Sequence, residues 1–459
     1  MRIISKLLNL TLTHRASIPM CGIPYRTAKI YIARLLRFGK KVAVAEQVGE
    51  IAKPGKGLTE RKVTEVITPG TALESEYLDG GTNNFLASAF VKNSKLAFAY
   101  IDVTTGEFKA TSFDQENLEE NLPKEISRCR PRELLLPKSL ENNAFLSSFL
   151  NEQSQISVSY YPDWNFNKDL CYEKLLKQFK TASLSSFSLT KESPEILPAG
   201  FLLDYIEKTT NTSSPHVRSI SIYNDVSYLV IDGSSFRNLE ILGNQRDGSI
   251  QFSLLECVNF TKTAMGSRML REYLSFPLTN LEVIKSRQDN IEVFFKDRAL
   301  LKRFRDFLDG ILDIERLACR IAMDKAHAKD LQALRYSLEN WIRAKESLPS
   351  STFSLSDDDD AKTIVDKISK ALLNDPSTSL TEGGIIKEGW NEELDHWKLV
   401  SNNFSQVLEN YLEEEKSLTG ISSLRVKKTN SAGYCLEVTK GKLSQVPSHF
   451  IMRRSLMNA

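Results

Sequence analysis

At 459 residues the chain has room for roughly two to four domains, and 41% apolar with 26% charged residues is the make-up of an ordinary globular protein, not a disordered or fibrous one. A formal net charge of +2 sets up no global field for a nucleic acid or an acidic partner, so any such surface has to be local. Apolar runs reach nowhere near the roughly 18 residues a membrane-spanning helix needs. The six cysteines (Cys21, Cys129, Cys171, Cys257, Cys319, Cys435) form no C-x-x-C pair, which argues against a zinc site or a disulfide framework and suits a reducing cytoplasm.

The five histidines are scattered, with none at metal-ligand spacing from another. "MRIISKLLNLTLTHR" is no secretory signal: its apolar run is short, is broken by Lys6, Asn9 and Thr11, and ends without a small-residue cleavage site. "SIPMCGIPY" (17–25) follows, where Pro19 and Pro24 fix φ and remove donors, so a rigid loop is expected. The segment 27–47 then takes a helical period, with Ile30, Ala33, Leu35 and Leu36 on one face. Gly39 stops that helix, and Val42 and Val44 with their alanines read as a short buried strand. A Gly/Lys loop, an alternating strand at Val63–Ile67 and a Pro-Gly stop complete a small α/β unit.

From Asn83, "NNFLASAFV", "KLAFAYIDVTTGEFKATSF" and "ISVSYYP" read as strands, the first two joined by a polar turn at 92–94. A helix followed by a short strand, Glu133–Leu136, lies between them, and the alternation says α/β. "YPDWNFN" leads out as a loop, and from about Tyr172 the chain is helical, most continuously over 253–345. The acidic run in "SLSDDDDAKT" reads as a solvated turn or helix start. Residues 391–418 read as one long helix whose apolar stripe runs through Leu394, Trp397, Phe404, Val407 or Leu408, and Tyr411. Beyond it, Leu424–Val426 and Tyr434–Val438 flank a turn at 428–432 and read as a hairpin. From Gly420 onward there are seven Lys/Arg and one acid, Glu437, so a basic tip suited to phosphate backbones ends a long arm; a solvated ribbon with idle lysines is the alternative.

These segments, in this order, resemble the MutS family of DNA mismatch repair proteins. "IPMCGIPY", "KKVAVAEQ" and "KGLTERKVTEVITPGT" resemble its mismatch-recognition domain; "DVTTGEF", "RPRELLLP" and "PDWNF" its connector; and "TAMGSRMLREYLSFPLTNLEVIKSRQDNIEVF" its core or lever. "DIERLACRIAM", "DPSTSLTEGGIIKEGWNEELD" and "TGISSLRVKKTNSAGYCLEVT" continue through the core into the clamp. The resemblance implies a multidomain α/β plus mostly α fold: a partial recognition domain at 1–75, an RNase H-like connector at 76–190, a long-helix core at 191–420 and the start of a β-rich clamp at 421–459. It implies a cytoplasmic protein and DNA mismatch repair, with mismatched or looped double-stranded DNA, a second MutS subunit and the MutL matchmaker as partners.

The departures shape the expectation. The family's Phe-x-Glu strand, whose Phe stacks on the mispaired base, has no counterpart, because no phenylalanine here is followed two residues later by Glu. No G-x-x-x-x-G-K-[ST] occurs, and the glycines of "GKGLTERK" have the wrong spacing, so the ATP and Mg of the family's ATPase domain find no phosphate-cradling loop and this chain is expected to be no enzyme. The chain is expected to start after the Phe-x-Glu strand and to stop inside the clamp. "AGYCLEV" stands where the family favours "FGYYIEV", keeping Gly433, Tyr434, Glu437 and Val438.

By resemblance Arg15 and Met20 face DNA and Tyr25 supports their loop, with core packing an equal alternative for Met20 and Tyr25. Lys427, Lys428, Lys440 and Lys442 are phosphate candidates from charge and turn location. Arg268 and Arg271 are expected to pair with acids inside the core. Two rivals stand beside DNA binding. One is an interaction module or remnant that depends on a partner for ATPase. The other, more distant, is an RNase H-like nuclease around Asp102 and Glu107, although two-metal chemistry needs more convergent carboxylates than that hairpin offers.

Overall fold

The structure, a computed structural model, describes residues 2–15, 17–47, 60–114, 118–153, 155–224, 228–349, 358–429, 433–447 and 450–451. The backbone divides into two compact units, residues 1–369 with 377–383, and residues 370–376 with 384–459.

The first unit opens with α1 (Arg2–Leu8), the hairpin β1 (Thr13–Arg15) and β2 (Ile18–Met20), α2 (Ala28–Arg37), and the antiparallel pair β3 (Val42–Gln47) and β4 (Arg61–Ile67). Gly39 ends α2 as expected: at φ +66° it lets its own N–H reach Leu36 O and the Lys40 N–H reach Leu35 O, which satisfies two terminal carbonyls. Two expectations change. Ile30 is 54% exposed, and Ile32 takes its place beside Ala33 and Leu36 on the inner face. β3 is only half-covered, because one face of a two-stranded ribbon has nothing to bury against. The loop expected at 50–59 lies outside the described residues.

The second layer is a six-stranded sheet made of β5 (Phe85–Lys92), β6 (Lys95–Asp102), β7 (Glu107–Asp114), β8 (Glu133–Pro137), β9 (Ser157–Tyr161) and β10 (Ser221–Ile222). Its order is β10-β7-β6-β5-β8-β9, antiparallel through β5–β7 and parallel at both ends. Parallel strands need crossovers, and these run through helices that cover both faces. α3 (Leu118–Cys129) and α4 (Ala144–Glu152) bury Leu122, Ile126, Leu146 and Leu150 against Leu96, Phe98, Tyr100 and Leu134. α5 (Lys168–Phe179) and α6 (Ile196–Thr210) bury Leu175, Ala199, Leu202 and Ile206 against Leu86, Ile101, Phe108 and Leu135. The boundary expected between residues 190 and 191 therefore falls between elements of one core, since α6 packs on this sheet and β10 belongs to it.

Helices α7 (Gly233–Asn238), α8 (Leu254–Val258), α9 (Ala264–Ser275), α10 (Leu281–Lys296), α11 (Arg298–Asp309), α12 (Ile314–Ala322), α13 (Ala328–Glu346) and α14 (Asp359–Ala371) follow. Their starts are written in the sequence: Asp232, Ser253, Thr263, Asn280, Asp297 and Asp313 each accept a backbone N–H as N-cap.

In the second unit the long helix expected over 391–418 is two, α15 (Glu392–Asn402) and α16 (Phe404–Thr419). The break is at Asn403, which keeps its helical hydrogen bonds to Leu399 and Val407 but turns to ψ 27°. Asn402 and Asn403, two residues of weak helix propensity, stand at the break. The antiparallel hairpin β11 (Arg425–Thr429) and β12 (Gly433–Glu437) follows α16, after the buried Ile421 and Leu424.

Candidate nucleic-acid interface

The N-terminal hairpin places its candidates by register. Arg15 faces Ile18 across the β1–β2 ladder, Met20 faces Thr13, and the Thr13 hydroxyl donates to Met20 O at 3.0 Å. Pro24, extended at ψ 136°, starts a 3-10 turn at Tyr25 and accepts from both the N–H and the hydroxyl of Thr27, so the loop is held rigid from its own ends. Met20 is 37% exposed and Tyr25 89%. Core packing, left open in the sequence for both, is thereby removed. Ile18 beside them is exposed as well.

The C-terminal candidates separate. Lys427 and Lys428 lie on β11 instead of in a turn, because the strand continues three residues past Val426, where its apolar positions end. Alternation sends the two side chains to opposite faces. Lys427 shares a face with Glu437 and sits 3.3 Å from its carboxylate. Lys428 shares the other with Val426, Leu436 and Tyr434, its Nζ 5.4 Å from the Tyr434 ring centroid, and that ring meets Phe404 of α16 edge-on. Lys440 and Lys442 lie in a 3-10 segment, Lys440–Gln445, directly after the ribbon. The four lysines are therefore not one patch.

Charged joints that the sequence reading missed position the N-terminal domain. Glu133, fully buried at the start of β8, accepts from Gly70 N–H at 3.0 Å and from the Tyr205 hydroxyl at 2.7 Å, and pairs with Lys41 Nζ at 2.9 Å. Lys41 also donates to the Tyr205 hydroxyl at 2.9 Å. Burial and the Glu133 charge hold the Tyr205 phenol well above its ordinary range. One carboxylate thus ties the turn after α2 and the loop after β4 to the sheet and to α6. An acid opening the apolar run "ELLLP" was the available signal.

A second joint centres on Arg268 of α9, 4% exposed. It donates to both oxygens of Asp313 at 2.6 and 2.7 Å, to Glu315 at 2.7 Å and to Gly80 O at 2.9 Å. Burial alone would lower its pKa, but the hydrogen bonds it donates to the two carboxylates, with their charges, outweigh burial and raise the group. Arg271 donates from Nε to Gly81 O at 3.1 Å, and Arg316 to Thr104 Oγ1, Asp79 O and Thr82 O. The internal pairing expected for Arg268 is present; Arg271 instead holds a backbone carbonyl.

Asp102, the nuclease candidate, is fully buried and occupied: it accepts from Asn84 N–H, Thr104 N–H and the Thr104 hydroxyl. Among the described residues no group of three or more His, Cys, Asp or Glu could hold a metal ion, and no helix is long and apolar enough to cross a membrane. The hairpin turn that follows Asp102 is thus what the carboxylate builds.

Comparison with known families fits this layout. Residues 2–76 match MutS domain I, 84–218 match MutS domain II and 234–434 match MutS domain III. The chain belongs to the MutS family. It is 44% identical to the DNA mismatch repair protein MutS of Treponema denticola over 472 aligned residues, covering 99% of this chain and 53% of that protein. Identity is 39% to the protein of that name from Treponema pallidum, with 99% and 51% covered, and 35% to that from Desulfatibacillum aliphaticivorans, with 99% and 52% covered. The chain therefore spans about half the length of the curated MutS relatives it matches. The three MutS domain matches run in chain order, and the first contains the hairpin that carries Arg15 and Met20 and the turn that carries Tyr25.

Proposed function

We propose that this chain supplies the DNA-holding part of a mismatch repair protein. It would grip duplex DNA through sequence-independent phosphate contacts, without distinguishing mismatched from matched pairs. The observation that carries this reading is the ordered run of three MutS domain matches, joined to relatives that are named for DNA mismatch repair. Arg15, Met20 and Tyr25 would face the duplex from the N-terminal domain, and Lys427, Lys428, Lys440 and Lys442 would add phosphate contacts from the clamp. Exposure of Met20 and Tyr25 supports the first group. The opposed faces of Lys427 and Lys428 mean that one duplex meets only one of them at a time.

Discrimination is not expected, because a mismatch reader needs an aromatic wedge entering the minor groove at an easily unstacked step, and no Phe-x-Glu occurs in this sequence. ATP hydrolysis is likewise not expected of a sequence without a G-x-x-x-x-G-K-[ST] motif. We divide the chain as a recognition domain at 1–75, a connector at 76–222, a core at 223–420 and a clamp from 421. The connector's sheet order supports an RNase H-like fold, and a second MutS subunit and a MutL-type partner are carried from the family.

Fluorescence anisotropy of labelled duplexes, one matched and one with a central G·T, tests the proposal across a salt series. Equal, salt-steep binding to the two is expected. A clear preference for the G·T duplex, or no binding to either at low salt, refutes it.

A further inference from the structure

Charge along this chain is segregated in a way the overall +2 conceals. Residues 1–45 carry nine Lys/Arg and no Asp or Glu, and residues 420–459 are net +6. Residues 46–419 are accordingly net −13. An acidic middle repels phosphate backbones, so attraction is confined to the two basic segments.

Within the first segment the structure separates engaged from free cations. Lys29 pairs with Glu74 at 2.8 Å and lies 3.7 Å from Glu76, and Lys41 pairs with Glu133. Arg26, Arg34, Arg37 and Lys40 are all exposed, and among the described residues none pairs with an acid. They share an address. Ile30, Arg34 and Arg37, spaced i, i+4 and i+7, line one outward stripe of α2, with Arg26 in the turn before it and Lys40 in the turn after. Arg34 lies over the Tyr31 ring, 5.9 Å from the centroid, and is exposed. On the opposite face Ala33 is buried and Leu36 with Ile32 is packed on Ile67 and Ala72, so the stripe sits on a fixed helix.

From Arg26 to Arg37 the stripe runs roughly 16 Å at the helical rise. A duplex offers one phosphate per about 3.4 Å of axis on each strand, so that span faces roughly four or five phosphates of a strand. Guanidinium groups bond phosphate oxygens bidentately, and exposed arginines with no carboxylate to compete are free to do so.

We propose that the outer face of α2, through Arg26, Arg34, Arg37 and Lys40, is a phosphate-binding rail for duplex DNA that reads neither base sequence nor pairing. This rests on the DNA-holding function proposed above and names a surface separate from the β1–β2 hairpin and the clamp lysines.

The test is a salt titration of duplex binding by the full chain. Four proteins are compared: the parent, a triple Arg26→Gln/Arg34→Gln/Arg37→Gln variant, the matching triple Arg→Lys variant, and a Lys440→Gln/Lys442→Gln variant. Each phosphate that goes un-neutralised flattens the plot of log K against log salt by about 0.9, so the triple Gln variant is expected to lose roughly two to three units of slope. The Lys triple keeps the charge and should keep the parent slope. Circular dichroism confirms folding, since all three arginines are exposed. If the clamp variant flattens the slope and the α2 triple does not, the rail is refuted while DNA holding stands. If the parent binds no duplex, the underlying function falls and the rail with it. If the triple Gln variant loses binding to anionic phosphatidylserine vesicles but keeps the parent's DNA slope, the stripe serves a membrane surface and the proposal is overturned.

Discussion

Replacing Glu133 by Ala should loosen the N-terminal domain from the sheet without unfolding the connector. The carboxylate satisfies three partners, and their fates differ. The Gly70 N–H is buried and loses its acceptor, at a cost of about 1–3 kcal/mol. The Tyr205 hydroxyl keeps Lys41 as a donor but loses its own acceptor inside the protein, again about 1–3 kcal/mol. Lys41 is 30% exposed and rehydrates, so its lost pair adds little. The sum, about 2–6 kcal/mol, brackets the usual result of removing one member of a buried ion pair. Gln in place of Glu keeps a carbonyl acceptor of the same reach and should cost about half as much. A chain of several domains does not unfold in two states, so the measurement is local: hydrogen exchange of peptides covering residues 60–75, 130–137 and 200–210. Exchange at Gly70 should rise about 100- to 1,000-fold in Glu133→Ala. If it rises less than about tenfold, or if the Gln variant equals the Ala variant, the carboxylate is not what joins these elements.

Arg268→Met should cost about 3 kcal/mol, because Asp313 retains Arg316 nearby and Glu315 is half-exposed; faster exchange confined to residues 79–82 and α9 is the expected signature. His216, whose Nε2 lies 2.7 Å from Val103 O, is held below its ordinary pKa by burial, against the opposing pull of that carbonyl. The unfolded chain therefore binds more protons as pH falls through the unperturbed value near 6.5, so connector stability should be full above that point and decline below it. Melting curves between pH 5 and 8 check this, and His216→Gln should flatten the dependence. Burial pushes the Cys171 and Cys319 thiols up to about 12, and Cys129 is buried too, whereas Cys257 is exposed. Iodoacetamide at neutral pH should therefore label Cys257 first in the native protein and reach Cys129, Cys171 and Cys319 only on unfolding.

Much of the fold was legible because local chemistry and burial agreed. The strands of the sheet announced themselves by apolar runs, and the stop at Gly39 by residue type. The failures have physical causes. Periodicity could not see that two asparagines interrupt the arm at Asn403, because the apolar spacing continues through the break. It placed Ile30 inward because a face is fixed by what packs against it, not by apolarity. Lys427 and Lys428 were grouped by charge, and only the register of β11 with β12 reveals that they point apart. Joints such as Glu133 with Lys41 link residues 92 positions apart, so the acid that opens "ELLLP" gives no sign of its partner. The acid-free opening segment was countable in the sequence, but its meaning depends on knowing which of its cations are already paired.

The two-sided sheet also dictates an order of events during synthesis. α3 and α4 cover one face before β9 is made, but the other face waits for α5 and α6. Between Tyr161, where β9 ends, and Thr210, where α6 ends, 49 residues must still emerge. At about 5–20 residues per second that leaves Leu86, Ile101, Phe108 and Leu135 uncovered for roughly 2–10 s on the ribosome. The nascent connector is therefore a substrate for holding chaperones during that interval, and a pause codon placed before residue 210 would lengthen its exposure.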